Sequence, residues 1–361
     1  MGKRMQFDYL VVIGRFQPLH NLHCTRIARA LSMARRVIVL VGSAHRPRTA
    51  RNPFTAEERW AMIQAVVASE PGRLLVAAMR DRLYDHSRWV AEVHACIDEL
   101  TAEEPGQRRI GVMPAEGVHT TRYEQMFPDW DVLPPDDTQA LSPSDLRDAF
   151  FTDGQGGANE HDRLRTLVPA PVYSMLKDFR KTAEYESLLA EHRHIRDYKR
   201  SWSSAPYPPV FVTADAVLIH SNHVLLIRRG HSPGKGLWAL PGGFVDRHEL
   251  LLDAALRELQ EETQLPMAAN ALKRSLVARE VFDYPERSAR GRTITHAFCF
   301  HVPSGEPPPI CGSDDAALAE WVPLERLSEF EAEFFEDHFH ILDYFLRTSF
   351  PVAAGRPAAG A

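Results

Sequence analysis

The chain has 361 residues, 44% of them hydrophobic and 25% charged, a composition typical of a soluble globular protein with room for two domains. A net charge of −6 gives no support to nonspecific nucleic-acid binding, so we expect no nucleic-acid partner. Scattered cysteines without C-x-x-C spacing, no signal peptide and no apolar run near the roughly 20 residues that cross a bilayer predict a cytoplasmic protein without a membrane partner.

Strand and helix patterns alternate through the first half, which indicates an α/β fold with a parallel, doubly wound sheet. The predicted strands cover residues 8–13, 37–41, 74–78, 110–113 and 130–133. The predicted helices cover residues 19–34, a segment opened by the capping box Thr55-Ala-Glu-Glu58, residues 89–100, and a segment from Pro169 to about Leu189.

The first strand ends in a glycine-containing turn, Gly14-Arg-Phe-Gln-Pro-Leu-His-Asn-Leu-His23. Such a turn places backbone N–H groups and the positive end of a helix at the carboxyl edge of the sheet, where phosphate binds well. His20 and His23 are three residues apart, so both can face a bound triphosphate. The alternative for this spacing alone is a pair of surface histidines with ordinary partners.

This turn resembles the opening of the nucleotidylyltransferases, whose (His/Thr)-x-Gly-His motif binds ATP, although Leu22 stands where Gly is usual. The blocks at residues 42–59 and 141–147 resemble one branch, the bacterial nicotinamide mononucleotide (NMN) adenylyltransferase fused to a Nudix domain. The resemblance implies an N-terminal Rossmann-like domain in which NMN attacks the α-phosphorus of ATP to give NAD⁺ and pyrophosphate.

In that branch a Ser-x-Ser/Thr-x-x-Arg element holds the ATP phosphates, and Ser142, Ser144 and Arg147 match it. His20, His23 and Arg147 are therefore the predicted catalytic residues. The predicted ATP- and NMN-binding residues are Gly14, Arg15, Phe16, Gln17, Arg48, Trp89, Ser142 and Ser144. For Trp89 the alternatives are stacking on the nicotinamide ring and a place in the core.

The second half begins after a charged and then proline-rich stretch. We predict a first domain at residues 1–190, a linker at 191–208, a second domain at 209–350 and a disordered tail at 351–361. The predicted elements of the second domain are a hairpin of strands 211–219 and 224–228, strands 279–282 and 294–302, and a final helix at 332–346.

A glycine pair at 242–243 leads into an apolar-periodic helix that ends in Arg257-Glu-Leu-Gln-Glu-Glu262. Three carboxylates on one helix face repel each other unless a divalent cation neutralises them, and Mg²⁺ prefers such oxygen ligands, with Mn²⁺ as the other candidate. The alternative for the bare pattern is a solvated acidic face. The spacing of Gly243, Glu249 and the Arg-Glu-x-x-Glu-Glu run resembles the Nudix box.

The Nudix resemblance implies a C-terminal α/β/α domain with a mixed sheet that hydrolyses a nucleoside diphosphate derivative. Glu258, Glu261 and Glu262 are the predicted catalytic metal ligands, Glu249 is a weaker one, and Arg257 is predicted to orient a ligand by ion pairing. The general base stays open between a box glutamate, Glu286 and Asp315. Gln264 replaces the usual Gly, and a left-handed helix end costs Gln more than Gly.

The segment after the box carries several arginines among aromatic residues, a pattern that could clamp a diphosphate and stack a base. The four arginines are Arg279, Arg287, Arg290 and Arg292. The segment resembles the substrate loop of ADP-ribose pyrophosphatases, which implies cleavage of ADP-ribose to AMP and ribose 5-phosphate. The alternative for the arginines is a solvated hairpin loop.

Several questions stay open at the level of sequence. The first domain could adenylylate nicotinate mononucleotide or phosphopantetheine instead of NMN, and the second could act on NADH or another nucleoside diphosphate derivative. Some Nudix relatives are ligand-sensing regulators, but those tend to lose the box carboxylates that this chain retains. The oligomeric state is open, with a homo-oligomer among the alternatives.

Overall fold

The structure is a computed structural model, and it describes residues 5–67, 72–103, 106, 108–115, 120–134, 143–151 and 158–350. The chain divides into two compact units, Met1–His192 and Arg193–Ala361. Each unit contains its own sheet.

The first unit is built on a five-stranded parallel sheet in the order β3-β2-β1-β4-β5. Its strands are β1 (Phe7–Gly14), β2 (Ala34–Val41), β3 (Leu74–Ala78), β4 (Ile110–Met113) and β5 (Asp131–Val132). The strand order reverses beside β1, and ligands of open α/β sheets bind at such a switch point. The predicted parallel, doubly wound sheet is confirmed.

Helices lie between and after these strands. They are α1 (Asn21–Met33), α2 (Ala56–Val67), α3 (His86–Leu100), α4 (Thr120–Met126), α5 (Pro143–Phe150), α6 (Ala158–Leu167) and α7 (Ala170–Phe179). Val93 and Ile97 of α3 and Phe127 after α4 pack on the strand residues Val11 and Ile38. These apolar side chains form the core beneath the sheet.

The second unit is built on a mixed sheet of seven strands, with the main path β10-β11-β6-β7-β12. Its strands are β6 (Val210–His220), β7 (His223–Arg229), β8 (Trp238–Ala239), β9 (Gly242–Phe244), β10 (Leu276–Phe282), β11 (Arg292–Val302) and β12 (Ala316–Pro323). The pairing of β11 with β6 is parallel and the other pairings are antiparallel.

Helices cover both faces of this second sheet, as predicted for an α/β/α domain. The helical elements are α8 (Ala183–Ser201, which contains the division at residues 192/193), α9 (Leu251–Thr263), α10 (Ala269–Arg274), a 3₁₀ segment (Leu324–Glu333) and α11 (His338–Ser349). Leu259 of α9 packs on Ala214 and Leu218, on one face of the sheet. Phe345 of α11 packs against Phe282 on the opposite face.

The predicted hairpin is confirmed, with a two-residue turn between β6 and β7. Ser221 and Asn222 occupy that turn with φ of 46° and 64°. Both values fall in the left-handed region that a type I′ turn requires, and this turn matches the twist of antiparallel strands.

Some element limits differ from the predicted ones. The helix predicted from Pro169 to about Leu189 is interrupted after Phe179, and Thr182 accepts a hydrogen bond from the backbone N–H of Tyr185 at 3.2 Å, which starts α8 anew. That helix extends to Ser201, so the charged part of the predicted linker is helical. The final helix starts later than predicted, after Asp337.

The described part of the chain contains no helix that is long and apolar enough to cross a membrane. The predicted disordered tail at 351–361 lies outside the described residues.

Candidate functional site

The carboxyl end of β1 and the start of α1 bring the two predicted histidines together. His20 is the residue that precedes the first turn of α1, and its backbone N–H donates to Nδ1 of His23 at 3.3 Å. The two imidazole rings stack with centroids 3.6 Å apart. The predicted convergence of His20 and His23 at the switch point of the sheet is therefore present in the geometry.

Burial controls the charge of this pair. His20 is 3% exposed, and burial together with the nearby Arg26 lowers its pKa to about 4. Burial, His20 and Arg26 also hold the pKa of His23 well below its ordinary value. Both imidazoles are consequently neutral near pH 7, and each can donate one ring N–H to a ligand.

The turn between β1 and α1 is packed tightly around a buried ring. Phe16 has a φ of 52°, is 1% exposed and lies 4.6 Å from the His23 ring, centroid to centroid. A Cβ at Gly14 would lie 3.0 Å from the Phe16 ring, so glycine permits this close approach. Phe16 thus packs against the His23 ring, and its predicted contact with nucleotide stays a prediction.

Gln17, also predicted to bind nucleotide, joins two loops in the structure. Its side-chain amide donates to the carbonyl of Phe54 at 2.8 Å and its oxygen accepts from the N–H of the same residue at 2.9 Å. Arg48 is likewise engaged within the protein, because it forms a bidentate ion pair with Glu58 at 2.8 Å. Their predicted nucleotide contacts stay predictions.

Arg59 is a residue of this site that sequence reasoning did not single out. It is 1% exposed, and its guanidinium donates to the carbonyls of Arg15 at 2.8 Å, Gly42 at 2.6 Å and Ser43 at 3.2 Å. These carbonyls follow β1 and β2, so Arg59 fixes the two loops at the carboxyl edge of the sheet. The predicted capping box is confirmed next to it, with bonds between Thr55 and Glu58 in both directions.

The remaining predicted residues of the first unit are less closely defined. Trp89 is half-buried and lies edge-on against Phe127 with centroids 6.0 Å apart, which favours its place in the core. Arg147 lies in α5 and is half-buried. Ser142 and the side chain of Ser144 lie outside the described residues.

The second unit contains a cavity of about 310 Å³ beside the glycine pair and α9. Its lining contains many charged side chains, which come from β6, β7, α9 and the segments before β11, β12 and α11. The lining includes Thr213, Asp215, Arg229, Gly243, Phe244, Arg257, Glu258, Glu261, Glu262, Arg287, Arg290, Asp315, Phe335 and His338.

Glu258 and Glu262 are two α9 carboxylates of this cavity, the first half-buried and the second buried. Glu262 is 2% exposed and accepts from the N–H of Gly242 at 2.9 Å, and burial raises its pKa to about 8. Burial also raises the pKa of Glu258. A Cβ at Gly243 would overlap the Glu258 carboxylate, so the glycine leaves room for that side chain.

Arg257 forms ion pairs with three acidic side chains on and beside α9. Its Nε and Nη2 pair with the two oxygens of Glu249 at 2.9 Å each, and Nη1 contacts Glu258 at 2.9 Å and Glu261 at 2.8 Å. This is the geometry that the predicted orienting role requires. Both oxygens of Glu249 are paired with Arg257, and its predicted weaker role as a metal ligand stays a prediction.

The donor set of the cavity fits a hard divalent cation. No three of the described His, Cys, Asp or Glu side chains form a ready metal cluster as they stand. One oxygen of Glu258 and one of Glu262, however, form no hydrogen bond within the described residues, and both carboxylates line the cavity. Carboxylate oxygens are the ligands that such a cation prefers.

Two of the four predicted substrate arginines reach the cavity. Arg287 and Arg290 line it, whereas Arg279 is exposed on β10 and Arg292 donates to the carbonyl of Asp283. Arg229, which the sequence did not single out, lines it as well, with its guanidinium 4.2 Å from the centre of the Phe335 ring.

Arg287 belongs to a buried ion network and not to an exposed loop. It forms a bidentate pair with Asp337 at 2.8 and 2.9 Å and lies 3.9 Å from Asp215, which accepts from Thr295 at 2.5 Å. Burial raises the pKa of Asp215 to about 6. The network connects β6, β11 and the start of α11 behind the cavity.

The candidates for a general base are separated by their positions. Asp315 lines the cavity, and Glu286 is not among the lining residues described. His338 also lines it, but its Nδ1 accepts from the N–H of Leu240 at 3.0 Å and burial lowers its pKa to about 3. The identity of the base stays a prediction among Asp315, Glu286 and the box glutamates.

Comparisons with known proteins agree with the two-unit division of the motifs. The NUDIX domain family matches residues 210–345, and the cytidylyltransferase-like family matches residues 11–82. The chain is 30% identical over 189 residues to the nicotinamide/nicotinic acid mononucleotide adenylyltransferase of Acinetobacter baylyi, covering 52% of this chain and 95% of that protein. It is 31% identical over 163 residues to the ADP-ribose pyrophosphatase of Methanocaldococcus jannaschii, covering 45% of this chain and 85% of that protein.

One solved structure resembles the chain over most of its length. It is the bifunctional NMN adenylyltransferase/ADP ribose pyrophosphatase of Francisella tularensis, complexed with AMP and a Mn ion. The TM-score is 0.84 at 31% sequence identity, and the match covers 94% of this chain and 99% of that chain.

Proposed function

The chain belongs to the bifunctional NMN adenylyltransferase/ADP-ribose pyrophosphatase family, and from that premise we propose how its two units divide the work. The first unit transfers the AMP moiety of ATP to NMN, giving NAD⁺ and pyrophosphate. The second unit hydrolyses ADP-ribose to AMP and ribose 5-phosphate. The observation that carries this proposal is the 94% coverage of the chain by one enzyme that bears both activities in its name.

In the first unit, an oxygen of the NMN 5′-phosphate attacks the α-phosphorus of ATP, and the bond from that phosphorus to the β-phosphate oxygen breaks. No protein nucleophile is needed, so the protein contributes alignment and hydrogen bonds to the phosphate oxygens. His20 and His23 donate ring N–H groups beside the start of α1, and Arg147 adds a positive charge. Arg59 holds the loops after β1 and β2 and so acts as a positioning residue.

In the second unit, a water oxygen attacks one phosphorus of the diphosphate and the bridging bond breaks. A divalent metal belongs to this chemistry, and we propose Mg²⁺ held by Glu258 and Glu262, with Glu261 nearby. When bound, it offsets the negative charge that gathers on the phosphate oxygens. Arg257 keeps the glutamates of α9 in place, and Arg229 and Arg290 provide positive charge around the substrate.

The test is product analysis of the full chain with Mg²⁺. Chromatography after incubation with ATP and each of NMN, nicotinate mononucleotide and phosphopantetheine should show pyrophosphate and the adenylylated acceptor, with NMN preferred. Separate incubations with ADP-ribose, NADH and other nucleoside diphosphate derivatives should show AMP and ribose 5-phosphate from ADP-ribose at the highest rate. Preference for another acceptor or another diphosphate would replace the corresponding half of the proposal.

A further inference from the structure

The C-terminal end of α5 is held by side chains from the end of α7 and the start of α8. Arg180 donates from Nη2 to the carbonyls of Ala149 at 3.0 Å and Phe150 at 2.7 Å, and from Nε to that of Phe150 at 3.2 Å. The hydroxyl of Tyr185 donates to the same Phe150 carbonyl at 3.1 Å. The carbonyls of the last turn of a helix have no N–H partner within the helix, so these two side chains complete that turn.

Aromatic packing connects the same end of α5 to the loop before α2. The Phe150 ring is buried and lies 5.5 Å from the Phe54 ring, centroid to centroid, and the Arg180 guanidinium lies 5.4 Å from the centre of the Phe150 ring. Phe54 is the residue whose backbone Gln17 holds through two hydrogen bonds. Gln17 belongs to the turn between β1 and α1, which leads to the paired histidines. The last turn of α5 is thereby connected to the histidine site.

Arg147 lies in this last turn of α5, three residues before Phe150. Its carbonyl accepts from the backbone N–H of Phe151 at 2.8 Å, so the helical turn that follows Arg147 is intact. The helix has eight residues, and helices of this length depend on tertiary contacts for their stability. The position of Arg147 therefore depends on the groups that hold the end of the helix.

We infer that Arg180 is a positioning residue for adenylyl transfer, which acts by fixing the last turn of α5 and with it the guanidinium of Arg147. This inference rests on the proposed reaction of the first unit, in which Arg147 adds positive charge beside the phosphates. Arg180 bonds to the end of the helix and not to substrate, so it affects the reaction through Arg147. A misplacement of about 1 Å in a group of the site costs on the order of 100-fold in rate, which makes such an indirect effect measurable.

The test is a double-mutant cycle on the rate of adenylyl transfer by the full chain, with ATP, NMN and Mg²⁺. Arg180→Met removes the guanidinium and retains a long side chain, and we expect kcat to fall about 10-fold while both KM values stay within about 2-fold of the parent. Arg147→Met should lower kcat about 100-fold. In the Arg147→Met background, Arg180→Met should lower kcat no further, because a residue that acts through another has no effect once the other is absent.

Lys181→Met is the matched control, because it removes a cation from the next position, where the ammonium pairs with Asp178 at 2.7 Å on the surface. It should leave kcat as in the parent. Tyr185→Phe removes the hydroxyl bond to the end of α5 and retains the ring, so it tests the same turn with a smaller change even where Arg180→Met does not fold. We expect it to lower kcat about 3-fold, and only in proteins that contain Arg147.

The outcomes distinguish this inference from the function on which it rests. A parent protein that forms no dinucleotide from ATP and NMN contradicts the proposed function. A parent that forms it, with kcat unchanged in Arg180→Met and Tyr185→Phe, overturns the positioning role. An equal loss of kcat from Arg180→Met with and without Arg147 also overturns it, because the loss would then arise from a general change of the unit. An Arg147→Met protein that works at the parent rate overturns it as well.

Discussion

His20 and His23 pack against each other and against Phe16 in a part of the first unit from which water is largely excluded. Their neutrality has a functional consequence, because a neutral imidazole adds no charge to a site that must accept and release a polyphosphate. It can still donate a hydrogen bond to a phosphate oxygen. Positive charge at this edge of the sheet comes instead from arginines and from the start of α1.

The buried His20 should make the first unit sensitive to acid. Burial and Arg26 lower its folded pKa to about 4, below the ordinary value of about 6.5. As pH falls, the unfolded chain therefore binds a proton at this histidine before the folded chain does. The contribution of His20 to the free energy of unfolding is fully present above about pH 6.5 and is lost progressively toward pH 4. Between pH 7 and pH 5, we expect the free energy of unfolding of His20→Asn to fall by about 2 kcal/mol less than that of the parent.

Urea unfolding of parent and variant at the two pH values measures this difference. His248→Asn, a change at an exposed position of the second unit, controls for the loss of a histidine elsewhere. Identical acid responses of the parent and His20→Asn would show that burial of His20 does not link folding to protonation.

The distance along the chain between site residues determines which of their contacts could be predicted from the sequence. Spacing within one helix or turn brings His20 to His23 and Glu258 to Glu262, so local pattern is sufficient for these pairs. The network of Arg287, Asp215 and Asp337 joins residues far apart in the chain, and no local spacing reports it. Arg287 was predicted as a substrate arginine, with a solvated loop as the alternative, and the structure buries it in an ion pair with Asp337.

At the scale of elements, the C-terminal end of α9 has the unfavourable backbone conformation that the sequence predicted for Gln264. Gln264 caps the helix with φ 49° and ψ 33°, in the left-handed region where a Cβ is unfavourable. We expect Gln264→Gly to stabilise the second unit by roughly 0.5–1 kcal/mol. Thermal unfolding provides the measurement.

Gln264→Ala is the matched control, because it removes the polar side chain but retains the Cβ. It should not raise the unfolding temperature. Equal stabilisation by Ala and Gly would mean that the backbone conformation at this position is not the source of the cost.

The glycine pair of β9 gives a second prediction at this scale. A Cβ at position 243 meets the flexible end of Glu258, whereas a Cβ at position 242 would lie 2.6 Å from the backbone oxygen of Ala214. Gly243→Ala should therefore displace Glu258, a proposed metal ligand, and reduce ADP-ribose hydrolysis roughly 100-fold with little loss of stability. Gly242→Ala should instead lower the unfolding temperature, because the backbone at Ala214 must move to make room for the Cβ.

Parallel measurement of kcat and of the unfolding temperature for the two variants tests this contrast. Unchanged hydrolysis by a folded Gly243→Ala protein would remove Glu258 from the proposed role.

Element limits were the least predictable part of the fold. Short apolar runs, each preceded by an arginine, placed the strands β3 and β4 at residues 74–78 and 110–113, where the structure has them. The start of α11 depends on Asp337, which is held by Arg287 from a distant segment, so helical periodicity alone placed it too early. The break between α7 and α8 depends on a local cap at Thr182 within an otherwise helical pattern.

At the scale of the whole molecule, the predicted residues of each site come from one unit. Those of adenylyl transfer lie between Gly14 and Arg147, and the described lining of the second cavity lies between Thr213 and His338. The sequence predicted this division because each motif set is contained within one half of the chain. The cavity lining itself required the fold, since it combines β6, β9, α9 and the segment before α11.

This separation predicts that each activity can be removed without the other. His23→Ala should lower kcat for dinucleotide synthesis more than it raises the KM for NMN, because its hydrogen bond belongs to the transition state, and it should leave ADP-ribose hydrolysis intact. Glu262→Gln should reduce hydrolysis roughly 100-fold and leave dinucleotide synthesis intact, because a neutral amide is a poorer ligand for a divalent cation. Chelation by EDTA should stop hydrolysis, and added Mg²⁺ should restore it in the parent but not in Glu262→Gln. Both rates are measured on each protein in the same preparation. A variant that loses both activities would contradict the assignment of one chemistry to each unit. A Glu262→Gln protein that hydrolyses ADP-ribose at the parent rate would contradict it as well.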